Sequence, residues 1–244
     1  MNAKTDPVSN THANAFREIV RSRRSVRRFT GEPIPPEVLQ DCLELATLAP
    51  NSSNLQPWSF HVVQTPALKA QLAEACLGQN AARTAPVLIA IVARPLSWEQ
   101  HAQRVLDEWP EERIPDIVKR YYQKVAPLHY RQGPLGIFGL AKKAVGLVAG
   151  LKRPVPRGPY SPAEMKIWAT KSTALAAENL MLALRAHGFD SCPMEGFDEC
   201  RVKKLLGLQR SELVVMVLAA GRRGEKGVYN RQHRFTGEDI IRYR

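Results

Sequence analysis

Hydrophobic positions recur along this chain with two spacings, and the changes from one to the other mark its elements. In "ANAFREIVRSRR" (13–24), Phe16, Ile19 and Val20 fall at helical spacing and predict a first helix. A second opens at the prolines of "PIPPEVLQDCLELATLAP" (33–50), with Val38, Cys42, Leu45 and Ala49 on one face and Pro50 as its stop. "WSFHVV" (58–63) is aromatic and β-branched, and "VLIAIVA" (87–93) is apolar throughout, so both read as strands, with a helix over 66–76 between them. The longest signal is "SPAEMKIWATKSTALAAENLMLALRAHG" (161–188). Ser161 is placed as N-cap, Pro162 suits the first turn, Glu164 completes a capping box and Gly188 suits the C-terminal cap. This predicts a helix over 162–187, about 40 Å long. Its Ala/Leu-rich middle is apolar on several sides, as expected in a core or a subunit interface. A shorter helix at "DECRVKKLLGL" (198–208) and a strand at "ELVVMVLAA" (212–220) follow.

Between Pro95 and Tyr160 the periodicity loosens. "WEQHAQRVLDEW" and "DIVKRYYQKVA" have helical spacing, while "GPLGIFGLAKKAVGLVAGL" is rich in glycine and carries Lys142 and Lys143. That run is too short and too charged for a membrane span, and an amphipathic cover over a site is the preferred reading, with peripheral membrane contact as the lesser one. Residues 1–12 are polar and are expected to be a disordered tail, not a signal peptide. Residues 13–244 are expected to form one domain, with 95–160 as an insertion acting as a lid over the substrate.

Charge and cysteines narrow the function classes. The net charge is +12, but the cations are spread along the chain, not gathered in a stripe with interleaved aromatics, which argues against a nucleic-acid reader. Cys42, Cys76, Cys192 and Cys200 show no CxxC pair, so reduced thiols in a cytoplasmic protein are expected, with Cys192 as small buried filler. The six histidines lack metal spacing, and no Gly-x-Gly-x-x-Gly fingerprint marks a separate dinucleotide domain.

Three polar stretches then carry chemistry. "RRSVRRF" (23–29) sets arginines about Ser25; guanidinium forks match phosphate oxygens, although a solvated basic helix end would look the same. Arg23 and Arg27 are four apart and would share a face if the helix continues. "PNSSNLQPW" (50–58) offers amide and hydroxyl partners between a helix and a strand, or is an ordinary Asn/Ser turn with Trp58 in the core. "PMEGFD" (193–198) combines a glycine suited to close backbone approach with Asp198 as the cap of the next helix.

The three stretches, in this order and with this pattern between them, closely resemble the FMN-dependent nitroreductase family over residues 14–93 and 160–244. The resemblance implies an α+β fold: a mixed, mainly antiparallel sheet wrapped by helices, with the flavin at a homodimer interface. It also implies FMN as cofactor and NAD(P)H as transient reductant. Carried over by position, it gives the ribityl phosphate to Arg23, Arg24, Ser25 and Arg27, and the ring's neighbourhood, reached across the dimer, to Pro50, Asn51, Ser52 and Asn54. Many relatives have serine where this chain has Asn51. Pro193 and Met194 would lie beneath the ring, and the Glu195 and Gly196 N–H groups would face N5. Gln79 (or Asn80) would meet the pyrimidine end, although the lysine often found nearby is missing. Arg234, with Arg231 as the other option, would return to the phosphate. No catalytic side chain is assigned, because the flavin carries the chemistry. Tyr121, Tyr122 and Phe138 are the chosen substrate contacts among the insertion's aromatics, which also include Trp98, Trp109 and Tyr130. They suit a flat acceptor such as a nitroaromatic or quinone. The alternatives are another reaction on the same scaffold, such as dehalogenation or a specialised oxidation, a flavoprotein for storage or sensing, and a non-catalytic basic protein binding nucleic acid or membranes.

Overall fold

The computed structural model describes residues 7–244. In chain order the elements are α1 (Pro7–Ser22), α2 (Pro36–Thr47), β1 (Trp58–Val63), α3 (Pro66–Ala75), α4 (Asn80–Thr84) and β2 (Val87–Ala93). The central segment supplies α5 (Trp98–Asp107), α6 (Asp116–Arg120), α7 (Ala126–Tyr130) and α8 (Ile137–Ala149), with a π-helical turn over Tyr121–Val125. Then come α9 (Pro162–Ala186), β3 (Asp190–Met194), α10 (Glu199–Leu206), β4 (Leu213–Gly221) and α11 (Gly237–Ile240).

The four strands form one sheet in the order β1-β2-β4-β3, with every neighbouring pair antiparallel. An isolated parallel bridge between Ser25 and Ser191 makes the sheet's outer edge mixed. β2 sits at the centre and is buried along its whole length. Its alternation divides the core: Val87, Ile89 and Ile91 meet α2 and α9 on one face, while Leu88, Ala90 and Val92 meet α3, α4 and α10 on the other. A third cluster of Leu55, Trp98, Ala126, Tyr130, Met165 and Trp168 fastens the central segment to the N-terminal half of α9.

Local signals explain the element ends. The Ser161 hydroxyl accepts from the Glu164 N–H at 3.2 Å, the Glu164 carboxylate accepts from the Tyr160 N–H at 2.6 Å, and Gly188 takes φ +79 beyond the last turn. Asp198 caps α10 through the Arg201 N–H at 3.1 Å.

The structure corrects three expectations and adds one element. Residues 7–12, assigned to the tail, are helical and continue α1 ahead of the expected start at residue 13; residues 1–6 lie outside the described residues. α1 stops at Ser22, so Arg23 and Arg27 do not share a helical face. There the backbone joins the sheet edge instead, with the Val26 N–H donating to the Ser191 carbonyl at 3.0 Å and the Arg27 N–H to that of Gly227 at 2.7 Å. In α2 the buried stripe is Leu39, Cys42 and Ala46, leaving Leu45 exposed. Finally, residues 190–194 form a strand that periodicity does not mark.

Candidate functional site

The sheet edge brings the two ends of the chain together. Residues 25–30 run beside β3 and the segment after β4, with Phe29 bridged to Arg223 and the Gly224 N–H donating to the Arg28 carbonyl at 2.9 Å. Beneath them Asp190, 5% exposed, accepts from Arg185 at 3.2 Å and from both ends of Arg223 at 2.9 and 3.2 Å. Arg185 also donates to the Ser22 hydroxyl at 3.0 Å, which ties the end of α1 to this buried pair. The result is a cavity of about 230 Å³ whose wall includes Arg23, Arg24, Ser25, Arg27, Arg231 and Arg234. Arg24 reaches across it to the Asn230 carbonyl at 2.5 Å. Arg23 Nη1 and the Ser191 hydroxyl are buried with no hydrogen-bond partner. Buried polar groups ordinarily have partners, so an orphaned guanidinium nitrogen beside a polar cavity fits an anionic ligand with several acceptor oxygens.

The turn after β3 is connected to the cavity's tail through Gln79 and Asn80. Its Glu195 and Gly196 are exposed. The Glu195 carbonyl accepts from the Phe197 N–H at 3.1 Å and the Gly196 carbonyl from Gln79 Nε2 at 2.8 Å. Both carbonyls are thus taken up within the chain, and no hydrogen bond among the described residues uses either N–H. Asn80 donates to the Tyr229 hydroxyl at 3.3 Å, linking α4 to the tail that closes the cavity. Pro193 is half-buried and Met194 buried in β3. Cys192 is buried beside the arginines; burial pushes its thiol up, with Arg27 and Arg23 opposing weakly, so it is an unreactive filler.

The loop at 50–56 is elsewhere. Three of its non-glycine residues are left-handed: Ser53 at φ +59, Asn54 at +49 and Gln56 at +44. Asn51 braces the turn, accepting from the Gln56 N–H at 2.8 Å and donating to the Ala49 carbonyl at 3.2 Å. Tyrosines from the central segment grip it. The Tyr130 hydroxyl bonds those of Ser52 (3.0 Å) and Ser53 (2.8 Å), Tyr121 bonds the Ser53 hydroxyl at 2.6 Å, and Tyr122 donates to the Ser53 carbonyl at 2.9 Å. Tyr121 and Tyr122 are consecutive, and the π-helical turn they open lets both reach one residue. Asn54, Gln56, His101, Arg94 and Trp109 line a separate cavity of about 630 Å³ beside this loop. Trp109 Nε1 is buried there without a partner. The wall of this cavity includes none of Tyr121, Tyr122 and Phe138; Phe138 lies under the Lys142 ammonium, 5.7 Å from its ring centre.

The two arrangements share no residue within one chain: Arg23, Arg24, Ser25, Arg27, Arg231 and Arg234 converge, Gln79 meets Gly196, and the 50–54 loop stands apart. The chain has counterparts among known proteins. The family model described as "Nitroreductase family" matches residues 20–222, which include the whole sheet, the wall of the larger cavity and the Arg23–Arg27 side of the smaller one. The chain belongs to the nitroreductase family. A relative from Thermus thermophilus named "NADH dehydrogenase" is 30% identical over 222 residues, covering 91% of this chain and 92% of its own. "Nitroreductase NfnB" of Mycolicibacterium smegmatis is 29% identical over 213 residues, covering 83% and 81%. A solved chain from Exiguobacterium sibiricum, in complex with FMN, superposes with a TM-score of 0.69 at 26% identity, covering 100% and 99%.

As a nitroreductase-family oxidoreductase, the chain holds positioning residues that periodicity misses. Asp190, Arg185 and Arg223 fix the cradle from below, and only a lone aspartate in the apolar run "FDSCPM" hints at them. Tyr229 sits in the Arg-rich tail without a motif, and Tyr130, Trp98 and Trp168 form the tilted aromatic stack that seats the central segment.

Proposed function

We propose that this nitroreductase-family chain binds FMN at the arginine-lined cavity and uses NAD(P)H to reduce a small organic acceptor, as a homodimer in the cytoplasm. The observation that carries the reading is the cradle itself: five arginines and a serine from opposite ends of the chain around one small cavity, one guanidinium nitrogen buried and unpartnered. The chemistry of that donor set suits a phosphate monoester, with Arg23, Arg27 and Arg231 supplying charge and Ser25 a neutral hydroxyl. FMN bound there would supply hydride acceptance from NAD(P)H and two-electron donation to whichever acceptor next occupies the same face. Gln79 holds the Gly196 carbonyl back, so the Glu195 and Gly196 N–H groups are free to hold the cofactor's ring. Buried Met194 and half-buried Pro193 give that ring an apolar support.

A second copy is supported by two features. The 50–54 loop, with Asn51 braced and Ser52 held by Tyr130, lies outside the cradle's cavity, so it meets the ring only if a partner brings it. Leu45, Leu48, Ile167 and Leu175 are also exposed on α2, the residue after it and α9, and Asn179 donates to the Leu45 carbonyl at 3.4 Å, which sets the leucines of the two helices side by side. Apolar surface of this kind marks an interface. The acceptor is placed in the larger cavity beside the loop, where Trp109 offers an apolar wall and an unpaired N–H.

The test is the visible absorption of purified protein, followed by chromatography of what heat releases. FMN at about one per subunit is expected, one phosphate cradle holding one phosphate. Replacing Arg23 and Arg27 together by glutamine should weaken FMN binding about 10- to 100-fold for each charge-assisted hydrogen bond removed. Protein that stays colourless when FMN is added overturns the proposal.

A further inference from the structure

Helix α8 is turned inside out relative to the helices of the core. Its glycines face the protein: a Cβ at Gly139 would collide with the Tyr160 carbonyl, and one at Gly150, the residue that ends the helix, with the Arg157 guanidinium. Lys142 lies on this inner side, its Nζ donating to the His129 carbonyl at 2.8 Å. The opposite side, at about 3.6 residues per turn, carries Ile137, Leu140, Leu147 and Val148, with Leu151 just beyond the helix. All five are more than half exposed, Leu151 reaching 86%. Gly139 is the buried residue of the helix among those described.

The surrounding charge is mostly positive, with Glu99 paired to Arg131 at 2.7 Å and Glu164 lying near Lys142. From Ile117 to Ala163 the sequence holds nine lysines and arginines and neither aspartate nor glutamate. Lys143, Lys152, Arg153 and Arg157 lie on α8 or just after it and are exposed.

We propose that α8 and its basic flanks form a peripheral docking surface for an anionic phospholipid bilayer. A bilayer answers both halves of the surface. Its apolar layer accepts a helix face about 20 Å long lying in the plane, and its headgroup phosphates meet the flanking cations. No helix among the described residues is long and apolar enough to cross a membrane, so the attachment is to the surface. A nucleic acid would match the cations but leave the five apolar side chains in water. A second copy meeting through the same face would press like charges together.

Full-length protein floated with vesicles tests this, and the readout does not depend on FMN or turnover. Binding is expected to phosphatidylcholine vesicles carrying about a third phosphatidylglycerol, to be absent with phosphatidylcholine alone, and to fall steeply in roughly 0.5 M salt. The pair Lys152→Glu and Arg153→Glu should weaken it more than tenfold, each cation near the surface being worth roughly fivefold. Leu140→Glu with Leu147→Glu should abolish it while the helical circular dichroism stays unchanged; should that pair not fold, Leu147→Ser is the milder version. Absence of binding to anionic vesicles overturns the proposal. So does binding that ignores the leucine changes, which would be the pull of the +12 net charge alone. Leucine variants that convert a larger species to a smaller one on gel filtration overturn it too, by assigning the face to a second copy.

Discussion

Single residues show how burial favours the neutral form of a group that has no oppositely charged partner. Burial pushes the Cys42 thiol from 9.0 to about 11, with Asp41 adding to the shift, and burial alone does the same to Cys76. Both thiols are protonated in the folded chain where the unfolded chain would ionise them. Their contribution to stability is therefore whole below about pH 9 and is lost as pH rises through about 11, on the order of 2 kcal/mol for each. The urea midpoint should fall across that window, and at neutral pH a thiol reagent should label Cys200 alone, the exposed cysteine. A midpoint flat through the window, or equal labelling of all four, would contradict this. The buried roles of Cys42 and Cys76 are legible in the sequence because each sits in a helical apolar pattern. Asp190 is not. Its partners stand 5 and 33 residues away, and no local pattern reports that two distant arginines converge on one carboxylate.

At the scale of elements, legibility follows the strength of local signals. The long helix, expected over 162–187, ends at Ala186, because Ser161, Pro162, Glu164 and Gly188 each act within a turn of their own position. β3 escapes the pattern because "DSCPM" lacks alternation and carries Pro193, which an edge strand tolerates and a central one does not. The central segment reads as a lid with tyrosines facing substrate; within one chain those tyrosines hydrogen-bond the strained 52–56 loop, where each left-handed non-glycine residue costs on the order of 1 kcal/mol. Tyr130→Phe removes the hydroxyl shared by Ser52 and Ser53. Its expected cost is about 1–2 kcal/mol, with faster amide exchange confined to 52–56 and none of it spreading to β2. Unchanged exchange in that loop would show that the backbone holds itself.

On the scale of the whole molecule, the three arginine and polar motifs are legible as a set, but their division into two separate places is expected from the family resemblance alone, since spacing along a chain carries no distances. The cradle joins residues far apart in the chain: Arg24 and its partner Asn230 are separated by 206 positions. That separation sets a timetable. A ribosome adding about 5–20 residues each second makes Arg23–Arg27 some 10–40 seconds before the segment that completes their cavity. During that interval the arginines are exposed and the sheet still lacks its edge partners. On the proposed reading, FMN would be captured in the cradle only after synthesis is nearly finished. A chain ended at Val228 should therefore keep its helical content apart from the short α11, since residues 231–244 are exposed, yet purify without flavin, and adding a peptide of the missing residues in trans should restore colour slowly if at all.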